Sequence, residues 1–227
     1  MLTNHSTRTY TIKLCQPVNS NAGPQSMPIP STNFSAVMLL CEIDLQCKTI
    51  ARAGERLREC AQHWVALSQG IDDGKTAPAI DIVAWCSVCL SASASIRRLL
   101  SLAGRRRKKA SVIRIRKRCE TIMDALGNPD IPVMLSAVVR NSWEHLDERL
   151  DELLSTQSFK SFSEIHVAVK PPDTQTFVLR HFDPVKLEIK HCQDAIPLEP
   201  LIAEAGELSR RISEAFNRLK VESCDVY

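Results

Sequence analysis

Glycine is scarce in this chain, 7 residues in 227, and aromatic side chains make up only 5% of it. A sheet-dominated protein draws on glycine for turns and bulges and on aromatics for its pleated faces, so the shortage points to aliphatic helix packing. Glycine-rich phosphate loops are missing too. Neither a Walker A sequence, a dinucleotide fingerprint nor a GxSxG elbow occurs, which removes the enzyme classes that need a backbone cradle or a strained serine turn. A long apolar run is also lacking. The most apolar window, Ala79 to Ala94, contains Asp81 and several serines and is short for a bilayer span, so it reads as a buried helix and no membrane association is expected. The first residues are polar, without the apolar centre of a secretory signal. Cysteine is abundant by contrast. Cys15, Cys41, Cys47, Cys60, Cys86, Cys89, Cys119, Cys192 and Cys224 are odd in number and follow no framework spacing, which fits a reducing cytoplasm better than a disulfide scaffold.

With 44% hydrophobic residues the chain can bury a real core. Residues 1–33, broken by Pro17, Pro24, Pro28 and Pro30, read as a flexible N-terminal arm, with Thr9 to Leu14 as a short strand at most. A long amphipathic helix is predicted from Ser35 to about Gln69, with Gly70 past its end. A turn at Asp72, Asp73 and Gly74 leads to a second helix from Ala79 to Ala103. A third, basic helix covers 105–126, closed by Gly127, Asn128 and Pro129. A fourth runs from Ile131 to Thr156, with Asp130 as N-cap and Pro132 in its first turn. Short connectors make a four-helix bundle over 34–157 the natural architecture. Beyond it, Glu164–Val169, Thr176–Phe182 and Val185–Lys190 alternate as strands, the first two separated by Pro171, Pro172 and Asp173, which predicts a small antiparallel β element. A last helix from Pro197 to Lys220 should pack back on the bundle, completing a third region, 158–227. No internal repeat is evident.

The stretch Val138 to Leu154, VVRNSWEHLDERLDELL, joins a helical pattern to a set of chemically useful groups. Leu135, Val139, Ser142, Trp143, Leu146, Leu150 and Leu153 share one stripe. Arg140, Glu144, Asp147 and Asp151 line one flank, while Asn141, His145, Arg149 and Glu152 lie on the other. Arg140, Asn141 and, after three more residues, His145 resemble the arginine-to-histidine motif of the HEPN superfamily. That resemblance implies an all-α bundle and a metal-independent endoribonuclease, or a toxin-type RNA-processing protein, acting as a homodimer without a cofactor. It implies RNA as ligand and an antitoxin or another protein as a further partner.

The chemistry is consistent with those residue types. Cleavage through the 2′-hydroxyl needs a proton carrier and a cation for the phosphate. A histidine titrates near pH ~6.5, and a planar guanidinium offers paired donors to phosphate oxygens. Arg140 would steady the phosphate, His145 would serve as base or acid, Asn141 would assist, and Glu144 and Asp147 would support them. On one helix Arg140 and His145 are about 140° apart around the axis and about 7.5 Å apart along it, so a working pair calls for a second copy facing the first. The same residues also suit ordinary ion pairs, Arg140 with Glu144 above all. The competing reading is therefore a non-catalytic interaction or nucleic-acid-binding protein. Arg58 and His63 repeat the spacing on another predicted helix, without the neighbouring Asn.

The run RRRKKASVIRIRKR holds Arg105, Arg106, Arg107, Lys108, Lys109, Arg114, Arg116, Lys117 and Arg118 with no acid among them. Such a block can follow a phosphate backbone, or form a solvated face that pairs with acidic helices. Cys86 and Cys89 form a lone CxxC inside the apolar helix and read as core thiols, so no metal site is expected. His166, His181 and His191 read as surface or strand residues.

Overall fold

A single alternation of three- and four-residue steps runs through the helices and sets how they pack. In α1 (Ser31–Ser68) the residues that reach the interior are Leu40, Ile43, Cys47, Ile50, Gly54, Leu57 and Ala61. In α2 (Ala79–Leu100) they include Ile82, Cys86, Cys89, Ser93, Ile96 and Leu100, and in α3 (Lys109–Ala125) Ile115, Cys119 and Ile122. That spacing produces a narrow seam along each helix, the pattern of side-by-side helix packing. The computed structural model describes residues 31–71, 79–101, 109–136, 151, 155, 160–170, 175–191 and 194–224, with the backbone alone for 31–35, 109–111 and 219–224.

Two helices stop by the same device. Gly70, at φ 77°, donates its N–H to the Leu67 carbonyl, while the Ile71 N–H reaches the Ala66 carbonyl. Gly127, at φ 68°, and Asn128 make the matching pair of bonds to Asp124 and Met123. Both are Schellman closures, which need the left-handed backbone that glycine adopts without strain.

The fourth helix departs from expectation. α4 is a single turn, Pro132–Leu135, after which Ser136 is extended at φ −61° and ψ 137°. Its N-cap is Ile131, not Asp130, and no side-chain cap bond is made there. A carboxylate from a distant helix fills the role instead. Glu204 accepts the N–H groups of Val133 at 3.0 Å and Met134 at 2.7 Å. The predicted unbroken helix from Ile131 is thus interrupted at Ser136; residues 137–150 lie outside the described residues, while Asp151 and Ser155 are helical.

The β element is a mixed sheet rather than an antiparallel one. Its strands are β1 (Ser161–Val167), β2 (Thr176–Asp183), β3 (Glu188–His191) and β4 (Asp194–Pro197), in that spatial order. β1 and β2 run parallel, whereas β2, β3 and β4 are antiparallel neighbours. Alternation dictates which residues share a face, not which way a strand runs, so a turn-forming Pro-Pro-Asp was insufficient evidence for a hairpin. The connection over 168–175 is shorter than the dozen or so residues of a usual parallel crossover. Val185 begins no strand. The Asp183 carboxylate accepts the N–H groups of Val185 and Lys186, at 2.9 and 3.0 Å, and folds 184–187 into a turn.

The last helix, α5 (Leu198–Cys224), buries Leu201, Ala205, Leu208, Ile212 and Ala215 on the same three-four spacing. One core joins helices and sheet: Leu40, Ile50, Leu90, Ile122, Met134, Phe182, Ile189, Ile196, Leu208 and Ile212 belong to the same cluster. Each fully buried aliphatic side chain there contributes about 1.5–3 kcal/mol. The structure is mostly helical with this small sheet at one side of the core. Among the described residues α2 alone has the length and apolarity to cross a membrane, at mean hydropathy 1.7. Ile82, Cys86, Leu90 and Ile96 of that helix lie inside the core, the placement of a core helix.

Glu204→Ala should cost about 1–3 kcal/mol, because it strips two N–H groups at the root of α4 of the carboxylate that accepts them. Urea unfolding measures it, with Glu204→Gln recovering part of the loss. An unchanged midpoint for Glu204→Ala would show that α4 holds its position without α5.

Candidate functional site

The motif residues Arg140, Asn141, Glu144, His145 and Asp147 lie outside the described residues, as do Arg105, Arg106, Arg107 and Lys108. The structure does describe the chain that leads into the motif segment. Arg97 is buried, and its Nε donates to the Leu135 carbonyl at 2.8 Å. Together with Glu204 it fixes the chain one residue before Ser136, from α2 on one side and α5 on the other.

The basic helix is described from Lys109, with side chains from Val112. Its inward positions, Ile115, Cys119 and Ile122, turn Arg114, Arg116 and Lys117 outward, and all three are exposed. Arg118 behaves differently from the expectation that grouped it with them. It is half-buried, and its Nη2 points to the Leu99 and Arg98 carbonyls at 3.4 and 3.5 Å. Those are carbonyls at the C-terminus of α2, where the helix has run out of its own donors and carries partial negative charge. Arg118 thus has a packing role at a helix end. The C-terminus of α3 is treated likewise, by Arg211 on the Leu126 and Gly127 carbonyls and Arg218 on the Ala125 carbonyl.

The first turn of α3 contains no acidic residue. A helix N-terminus already carries partial positive charge, so the basic residues that precede and follow it add to an unfavourable local potential.

Arg58 and His63, which share the motif spacing on α1, are used structurally. Arg58 makes two bonds to Glu199 of α5, at 2.7 and 3.2 Å, and His63 is buried. Both groups of the chance motif are therefore accounted for by packing.

Two of the histidines expected as surface or strand residues form a pair. His166 and His181 are register partners across the parallel β1–β2 ladder. Their Nδ1 atoms are 2.9 Å apart and their rings stack with centroids 5.1 Å apart. His181 is buried, and its pKa is lowered from the ordinary value, first by burial, then by His166 and Lys190. The sequence carries the signal as an offset match between the two strands. SFSEIHV and TFVLRHF align with Ser161 on Thr176, Phe162 on Phe177 and His166 on His181. Each of these three pairs interacts: the hydroxyls at 2.8 Å, the phenyl rings at 5.7 Å and the imidazoles as above.

Cys86 and Cys89 are buried on α2, and Cys89 Sγ lies 3.8 Å from the Ile50 carbonyl. Burial raises the Cys86 thiol and pushes Cys89 and Cys47 up to about 12. Among the described residues no group of three His, Cys, Asp or Glu side chains could hold a metal ion. A cleft of about 540 Å³ lies where Trp64 and Leu67 of α1 face Val167, Ala168, Val169 and Lys170 at the end of β1.

No protein-family model, curated protein or solved structure matches the chain.

The thiols provide a direct check of the packing. At neutral pH, Cys47, Cys86 and Cys89 should alkylate at least about a hundredfold more slowly than the half-buried Cys41 and Cys60, since the thiolate is the reactive form. Timed iodoacetamide labelling with peptide mass spectrometry reads this out. Equal rates at all five positions would contradict the buried placement of the CxxC.

Proposed function

We propose that this chain is a HEPN-like, metal-independent endoribonuclease of toxin or RNA-processing type that works as a homodimer. Arg140 would hold the phosphate, His145 would move the proton and Asn141 would assist, with Glu144 and Asp147 orienting them. α3 would carry the RNA backbone, through Arg114, Arg116 and Lys117 and the cations that precede the helix. The observation that supports this reading most is the exposed basic face of α3 on a helical body. It lies in the same chain as an Arg-Asn-x3-His sequence. Three outward cations on one helix suit a strand of phosphates better than a single small anion.

The same face also favours a second reading, a nucleic-acid-binding protein without catalysis, because electrostatic docking on α3 needs no reaction. The two differ in one assay. In EDTA, the wild-type protein should cleave RNA while His145→Ala and Arg140→Ala should lose at least about a hundredfold in rate, the scale of a missing general base. Equal cleavage by all three removes the catalytic assignment, and binding without cleavage leaves the second reading. Replacing Arg114, Arg116 and Lys117 together by Gln should weaken RNA binding and flatten its salt dependence by up to about 0.7 in log–log slope per lost contact. An unaltered slope would place the RNA elsewhere.

A further inference from the structure

The His166–His181 pair is the feature of the described structure that packing alone does not explain, and it stands independently of the ribonuclease reading. Two ring nitrogens at 2.9 Å can share a hydrogen bond only if one Nδ1 carries a proton and the other presents a lone pair. The accepting ring is then neutral, with its proton on Nε2. A proton on the accepting Nδ1 would set two N–H groups against each other at that separation, and two positive charges as well once the donating ring is protonated on both nitrogens. A hydrogen bond between the His166 backbone and the His181 ring favours the charged ring and opposes this in part, but burial and the neighbouring charges outweigh it. Two nitrogens are fewer than the ligands of a protein zinc site, so the species this pair is built to share is a proton.

The surroundings sharpen the point. His181 pairs in register with Lys190 of β3, which is itself 3.8 Å from Glu188. Asp183 on β2 opposes the effect of Lys190, but its carboxylate is engaged by the Val185 and Lys186 N–H groups. Glu164 of β1 is held by Arg180 at 3.3 Å. The nearby carboxylates are therefore committed elsewhere, and the cation across the ladder adds to the repulsion that a doubly protonated pair would feel. β1 is also the strand most able to respond. Among the described residues it lies at the edge of the sheet, with β2 as its ladder partner. Its far end is secured by the Phe162–Phe177 stack and the Ser161–Thr176 hydroxyl bond. The end at His166 has the imidazole contact and the Ala168 N–H bond to the Phe182 carbonyl at 3.1 Å.

We propose that His166 and His181 form a one-proton latch that docks the C-terminal half of β1 on β2 near neutral pH and releases it when both rings are protonated. The sign follows from the folded state's preference for a neutral ring. A histidine whose pKa is depressed on folding contributes stability that is complete above its unfolded value of about 6.5 and is lost as pH falls through the lower folded value. Because Val167, Ala168, Val169 and Lys170 line the cleft beside Trp64, release would reshape that cleft while the core strands β2 and β3 stay paired.

The test is amide hydrogen exchange by NMR on the full chain, corrected for intrinsic exchange, with the Ala168 amide as reporter. The Leu198 amide, bonded to the Leu187 carbonyl outside the β1–β2 ladder, is the control. Protection at Ala168 should fall about tenfold or more between about pH 7.5 and about pH 5, with Leu198 unchanged. In His166→Asn/His181→Asn, whose amides bond to each other at any pH in this range, Ala168 protection should be flat. Equal protection at both pH values in the wild type, or the same loss in the double variant, overturns the latch. Should the double variant fail to fold, ¹⁵N titration of the wild-type imidazoles decides. Unlike tautomers and a His181 titration below the ordinary histidine value are expected, and like tautomers with an ordinary His181 titration would refute the pair.

Discussion

The antiparallel seam between α1 and α5 is the constraint on which the rest of the structure depends. Three contacts mark its course in order: Asp44 accepts from Ser209 at 2.6 Å, Gly54 faces Ile202, and Arg58 bonds to Glu199. The residue numbers fall on one helix as they rise on the other, so the first and last helices described run antiparallel where they meet, over 44–58 of α1 and 199–209 of α5. At the middle crossing no side chain fits. A Cβ on Gly54 would stand 2.6 Å from Ile202 Cδ1 and 2.9 Å from its Cγ1. Both helices otherwise follow the three-four spacing, so Ile202 enters a hole that the absent side chain leaves. The exposed Arg58–Glu199 pair adds no more than about 0.2–1 kcal/mol. The seam is held by packing, and the polar contacts fix its register.

From that seam α5 reaches the segments where function is proposed. Glu204 sits two residues past Ile202 and caps α4, which leads into the motif segment. Arg211 and Arg218, about two and four turns further on, close the C-terminus of α3, which also carries the exposed cations Arg114, Arg116 and Lys117. The helix that closes the chain thus anchors both the basic helix and the entry to the Arg-Asn-x3-His sequence. A shift of α5 along α1 would move them together. The sheet is coupled to the same core through Phe182, Ile189 and Ile196, with β1 at its far edge, where local opening costs the core least.

Much of this frame was legible in the residues. Helix positions followed from the repeating apolar steps, and their ends from Gly70 and Gly127, because those signals are local. What escaped was set by partners far away in sequence. The stop at Ser136 follows from a carboxylate on α5 and a guanidinium on α2, and no property of residues 131–136 announces either. Arg118 looks like its neighbours in a basic run, and only the nearness of the α2 carbonyls turns it inward. β4, Asp194–Pro197, begins with Asp and ends with Pro, poor strand formers that are held by their pairing with β3. The direction of β1 is invisible to alternation, yet the matched Ser/Thr, Phe and His of its two copies offered a readable hint. Of the candidate site, the cations of α3 that face solvent were legible, and the histidine pair was not, since its two members are ordinary until a register brings them together.

A double-mutant cycle in urea on Gly54→Ala and Ile202→Ala tests the seam most directly. Alanine in place of a helical glycine ordinarily stabilises by up to about 1 kcal/mol, whereas overpacking a filled contact costs about 1–3 kcal/mol. The account predicts that Gly54→Ala is destabilising in the wild-type background and neutral or stabilising once Ile202 is truncated, a coupling of about 1 kcal/mol or more. Additive effects, with Gly54→Ala stabilising in both backgrounds, would contradict a close α1–α5 crossing and with it the frame on which the proposed sites stand.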